Sequence, residues 1–142
     1  MSQRLNNLND LIAILKAGAD YYRRAARQTE RPEAEKIFQD HADERERMAQ
    51  EISVLVDRAG HDPAGAAPSE QARSVLAQIG SLFDDRELVL AKGLEKHDTR
   101  TVEAFRSVIQ HPDNQMDAEM LSRFLSEIEA SQARTREVRE SV

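Results

Sequence analysis

Four stretches of this chain carry apolar residues at alternating steps of three and four, and the breaks between them fall at proline and glycine. That spacing puts each set on one face of a helix, and a helix with one apolar face must bury it against others. The first stripe reads Leu5, Leu8, Ile12, Leu15, Ala19, Tyr22 and Ala26, and stops before Pro32. Pro32 suits the first turn of a second helix, where its missing N–H costs nothing, and Glu33 and Glu35 place negative charge at that helix's positive end. The second stripe runs through Ala34, Ile37 or Phe38, His41, Glu44 or Arg45, Met48, Ile52 and Leu55, ending near Gly60.

From Gly60 to Pro68 the residues GHDPAGAAP form a linker suited to a crossover. Ser69 to Ile79 reads as a short amphipathic helix with Val75, Leu76 and Ile79 inward, closed by Gly80. Asp84 and Glu87 make a capping box for a third long helix, whose stripe is Leu88, Ala91, Glu95, Asp98, Val102, Phe105 and Ile109, closed by Pro112. The fourth begins around Asn114 and points Leu121, Phe124, Ile128, Ser131, Thr135 and Val138 inward. The expectation is an all-α, antiparallel four-helix bundle in a single domain over residues 1–142, with the short extra helix in the crossover between its second and third long helices. With 4% aromatic and 32% charged residues, the chain is poor material for a sheet and good material for helices with solvated outer faces.

A net charge of −6 argues against a phosphate backbone as partner. Arg23, Arg24, Arg27 and Arg31 end one helix and Arg134, Arg136 and Arg139 end another, where cations complement the negative pole of the helix dipole. The lack of cysteine excludes disulfides, thiolate metal sites and thiol catalysis. Asn6, Asn7, Asn9 and Asp10 interrupt the apolar positions from Leu5 to Leu15, which therefore do not read as an exported leader. No run of about 18 apolar residues is present to cross a bilayer. A soluble cytoplasmic protein without nucleic-acid or membrane partners is expected.

Near the helix midpoints the stripes turn polar. His41 and Glu44 lie on the second helix, Glu95 and Asp98 on the third, and Ser131 and Thr135 on the fourth, while the first offers Ala19 with Asp20 beside it. Carboxylates facing one another inside a bundle must be paired, protonated or bound to metal, because burying an unpaired ion costs several kcal/mol. Tyr22 reads as core packing with its hydroxyl satisfied. His97 points about 100° around the helix from Asp98, and His61 and His111 lie in or beside loops. No Ser-His-Asp arrangement, phosphate-cradling glycine loop or dinucleotide fingerprint occurs, so no catalytic residue is assigned.

The segments LNDLIAILKAGADYYRRAA, FQDHADERERMAQEI and LEKHDTRTVEAF resemble the ferritin-like superfamily, and in particular small bacterial four-helix proteins of unknown function related to rubrerythrin-like and stress-induced ferritin-like families. The resemblance covers nearly the whole chain through loose helical patterns. It implies a carboxylate site built from one Glu on each of two helices and a Glu-x-x-His pair on each of the others. Carried over, that set is incomplete. Asp20, Glu44 and Asp98 match its acidic positions, but Arg47 stands three residues after Glu44 where a His is needed. On the fourth helix Glu127 is followed three places later by Ala130, with Ser131 and Gln132 where a His would stand.

His41 and Glu44, three apart, form a reversed version of the missing pair. With Asp98 opposite and Asp20 in support they make a candidate site for one divalent ion, Fe, Mn or Zn, as in a metal-binding module or an oxidase-like enzyme with a partial ligand set. The same residues can instead hydrogen-bond to each other or to Thr135, with Arg45 or Arg47 neutralising Glu44. Three ligands from two helices fall short of a di-metal set, so the balance favours no cofactor and a non-enzymatic bundle acting through protein association, in a stress response as the resemblance implies. The short helix and its continuation, with Val75, Leu76, Ile79, Leu82 and Phe83, are expected to pack on their own bundle or on a second copy in a homodimer.

Overall fold

The computed structural model describes residues 2–63, 68–80 and 87–140, with the side chains of 71, 78–80, 87–91, 139 and 140 left aside. Every regular element among the described residues is helical: α1 (Gln3–Gln28), α2 (Pro32–Arg58), α3 (Glu70–Gly80), α4 (Glu87–Gln110), a 3-10 segment (Pro112–Asp117) and α5 (Ala118–Glu140). None of these helices is long and apolar enough to cross a membrane.

The helix ends follow local chemistry. Ser2 opens α1 by accepting the Leu5 N–H, and Pro32 occupies the first turn of α2 with Glu33 and Glu35 beside it. α2 closes at Gly60, whose φ of 82° only glycine adopts freely. Gly60 N–H donates to Asp57 O and His61 N–H to Val56 O, the two bonds of a Schellman motif. Ser69 caps α3 by accepting the Ala72 N–H. Glu87 is the first residue of α4, whereas its expected capping partner Asp84 lies outside the described residues.

Contacts between the long helices fall in opposing order. Along α1 and α2, Tyr22 meets Phe38 and His41 while Leu5 and Leu8 share a cluster with Ile52 and Val56. Glu95 of α4 reaches Arg136 of α5, and Arg106 reaches Glu129. Arg45 of α2 meets Ser131 of α5, and Arg47 meets Glu127. α3 packs on α1 and α4, and its Ala72 and Val75 join the core cluster that holds Leu11 and Ile14. Of the residues expected at a second-copy contact, Leu82 and Phe83 lie outside the described residues.

The stripes expected for α1 and α5 are buried at every position. α1 buries a wider face besides, adding Leu11, Ile14, Tyr21 and Ala25, because α2, α3 and α4 all pack on it. The start of the last helix differs from expectation: α5 begins at Ala118, after a 3-10 turn in which Asn114 departs from helical geometry. The buried Asn114 side chain donates to Arg4 O and Asp117 Oδ2 and accepts from Asn7 Nδ2, while Arg4 grips Asp117 through two nitrogens at 2.8 and 3.0 Å. Those bonds to α1 hold the chain out of the helix it would otherwise begin.

The core is split in two. A larger cluster joins Leu5 to Leu15 with Met48 to Val56, Val102 to Val108 and Leu121 to Ile128, and a smaller one joins Tyr21 to Ala26 with Ala34 to Ala42, Leu94 and Val138. Between them lies a polar layer.

Candidate functional site

Arg45 stands at the centre of that layer with 1% of its surface exposed. The second stripe allowed either Glu44 or Arg45 to face inward, and the structure turns Arg45 in and leaves Glu44 partly exposed beside it. The guanidinium donates through Nη2 to Asp98 Oδ1 at 3.2 Å and to Ser131 Oγ at 2.7 Å, and through Nη1 to Glu44 Oε1 at 2.7 Å. Its planar fork thus ties α2 to α4 and α5 at once, a geometry that a lysine cannot reproduce. It also lies over the Tyr22 ring, 5.6 Å from the centroid.

The other oxygen of Asp98 is engaged as well. Tyr22 of α1 donates its hydroxyl to Asp98 Oδ2 in a short bond and lies 3.1 Å from Thr135 Oγ1. Thr135 donates to the Ser131 carbonyl and is also 3.4 Å from Nδ1 of His41, so its hydroxyl is shared by three neighbours. Tyr22 and Asp98 have no exposed surface, and His41 is 2% exposed. A buried carboxylate paired to an arginine and held by a phenol satisfies the requirement that an interior charge be both neutralised and hydrogen-bonded.

Burial shapes the electrostatics. It opposes the charge on Arg45, but Asp98 and Glu44 outweigh it and the guanidinium pKa stands above its usual value. Burial, reinforced by Asp98, drives the Tyr22 phenol well above the ordinary tyrosine range. His41 is pushed down to about 4, first by burial and then by the nearby Arg45 charge, so it is neutral at pH 7. Glu44 is raised by burial, against the opposing pull of Arg45. His41 Nε2 is the buried side-chain polar atom that finds no partner among the described residues.

The four candidate metal ligands are placed as follows. His41 and Asp98 belong to the buried layer, linked through Thr135 and Tyr22. Glu44 sits at its edge on Arg45. Asp20 is exposed on the outer face of α1, in a shallow cleft with Lys16, Asp43 and Glu46. Among the described residues no group of three His, Cys, Asp or Glu side chains lies together as a metal ion would need. Both oxygens of Asp98 are occupied by Arg45 and Tyr22, and a guanidinium at bonding distance repels a divalent ion. This donor arrangement does not fit the carboxylate-bridged centre that the resemblance implies, and Ser131, standing where that pattern calls for a histidine, receives the arginine instead.

Glu95, expected in the layer, sits at its rim, and His97 lies away from Asp98 as its place on the helix predicts. Glu95 is only partly buried and binds Arg136 at 2.8 Å at the rim. His97 is buried on another face of α4, stacked on Tyr21 with centroids 6.1 Å apart, its Nε2 3.4 Å from Thr101 Oγ1. Of the two loop histidines, His61 is exposed and His111 accepts the Asp113 N–H. Arg31, expected to complement the end of the first helix, instead stands just before α2 and donates to the Val138 carbonyl near the end of α5.

These features define an all-helical protein with a closed, internally neutralised polar layer. The chain belongs to the family described as a domain of unknown function (DUF2383), whose model matches residues 3–111 and so spans α1 to the end of α4. Neither a curated protein nor a solved structure matches it.

Proposed function

We propose that this chain is a ferritin-like, antiparallel four-helix bundle that works through its helical surface, by protein association rather than by catalysis. The carrying observation is the sealing of its most reactive side chains. Tyr22, His41, Arg45 and Asp98 are at most 2% exposed, with both oxygens of Asp98 taken by Arg45 and Tyr22, so no substrate reaches them, and what the protein presents to others is the outside of its helices. The opposing order of the helix contacts, with α3 in the crossover, supports the ferritin-like arrangement. The proposed partner is first a second cytoplasmic copy of the chain, through the region of Leu82 and Phe83, in a bacterial stress response as the resemblance suggests. Light scattering over a range of concentrations tests this. A dimer that becomes a monomer on replacing Leu82 and Phe83 by Asp supports the reading, and a monomer throughout removes self-association.

A second reading keeps one divalent ion, held by His41 with Glu44, Asp98 and Asp20. The unpartnered Nε2 of His41 favours it, because an imidazole nitrogen buried without a partner is a ready ligand. The engaged oxygens of Asp98 oppose it. Metal retained after purification and lost on His41→Ala would favour this reading over the first.

A further inference from the structure

Five carboxylates among the described residues are wholly or partly withdrawn from solvent: Asp10, Glu44, Glu95, Asp98 and Asp117. Four of them lie against an arginine, Glu44 and Asp98 on Arg45, Glu95 on Arg136 and Asp117 on Arg4. Among the described residues Asp10 has no such cation. Its Oδ1 accepts the Ser69 N–H at 3.0 Å, which fixes the start of α3, and its second oxygen is left over.

Asp10 borders a cavity of about 220 Å³ between α1, α3 and α4. Among the described residues no lysine or arginine lines it, and Leu11, Ile14, Ala104 and Val108 supply an apolar wall. Asn7 and Ser107 also line it, the Asn7 oxygen already accepting from Gln3. His111 also lines the cavity, close to the C-terminal end of α4, where the helix dipole adds further negative potential. One carboxylate without a counter-charge beside an apolar wall is complementary to a small cation that carries an apolar body. The volume lies below the range typical of drug-sized ligands, which sets the scale at a few carbon atoms.

We infer that this cavity binds a small primary alkylammonium ion, the ammonium group on Asp10 and the alkyl chain along Leu11, Ile14 and Val108. The ammonium supplies the charge that the other withdrawn carboxylates receive from arginine, and the chain covers apolar surface. Neither contribution depends on the central polar layer or on the oligomeric state.

An amide NMR titration of the full chain with n-butylammonium chloride, against ammonium chloride at matched ionic strength, tests the inference. Saturable shifts are expected at Asn7, Asp10, Ser107 and His111, with butylammonium binding in the millimolar range and roughly tenfold more tightly than ammonium because of its buried chain. Asp10→Asn keeps an acceptor for the Ser69 N–H and should abolish saturation, and Ala104→Leu should weaken binding by filling the cavity. Equal binding of the two ions would show that the apolar wall is not used and would overturn the inference. So would unsaturable shifts, or unchanged binding by Asp10→Asn.

Discussion

The Arg45 guanidinium lies 3.2 Å from the Asp98 carboxylate, and neither group has more than 1% of its surface exposed. Two opposite charges from α2 and α4 thus close the middle of the bundle from within. Ser131 and Glu44 take the remaining guanidinium bonds that the structure shows, and Tyr22 takes the free carboxylate oxygen. Such a pair is costly to break from one side and cheap to replace as a whole.

Arg45→Met therefore leaves Asp98 as an uncompensated interior charge and should destabilise the fold by about 3–5 kcal/mol. The double variant Arg45→Met, Asp98→Leu should recover most of that loss. Urea unfolding of the wild type, both singles and the double closes the cycle. A loss in Arg45→Met below about 1 kcal/mol would mean the pair is solvated in solution.

Tyr22→Phe removes one hydrogen bond to a buried carboxylate without opening a cavity. The expected cost is about 1.5–3 kcal/mol, the range for a bond to a charged group. It should be much smaller in the Arg45→Met, Asp98→Leu background, where the acceptor is gone. Thermal unfolding of the four variants checks both numbers.

Gly18 faces His97 so closely that a Cβ there would come within 2.9 Å of the ring Nε2. The ring is buried and stacked on Tyr21, which limits its retreat. Alanine in a helix interior ordinarily stabilises by roughly 0.5–1 kcal/mol over glycine. Gly18→Ala should nevertheless destabilise here, by about 1–3 kcal/mol, as overpacked cores do. The sign should reverse when His97 is replaced by Ala.

Acid should weaken the fold through His41. Its pKa is lowered to about 4 in the folded protein against an ordinary value of about 6.5, so the unfolded chain binds more protons between those limits. Its contribution to stability is complete above about pH 6.5 and is lost as pH falls toward 4, by a few kcal/mol at most. Burial lowers His97 in the same sense, whereas the raised Glu44 acts in the opposite one. The His41→Gln variant isolates this contribution: its unfolding free energy should fall less than that of wild type between pH 7 and 4. Equal slopes would contradict the assignment.

Periodicity alone located the long helices and the inward stripes of α1 and α5, because apolar spacing of three and four has one helical solution. It could not choose between Glu44 and Arg45. Each fits a three-four progression from His41 to Met48, and they differ in charge and in how far the side chain reaches. Arginine has the stem to carry its charge across the layer to Asp98, and an arginine in one stripe level with an aspartate in another was the available signal. The 3-10 turn after Pro112 was beyond local reading, because Asn114 and Asp117 are held by Arg4 and Asn7 at the other end of the sequence.

The most direct test of a bundle closed by its own ion pair is elemental analysis of protein purified without a metal-affinity tag from cells supplied with iron, manganese and zinc. The account predicts far less than one metal ion per chain and an unfolding temperature unchanged by chelator. Near-stoichiometric metal that disappears in the His41→Ala variant, with a chelator-dependent unfolding temperature, would contradict it.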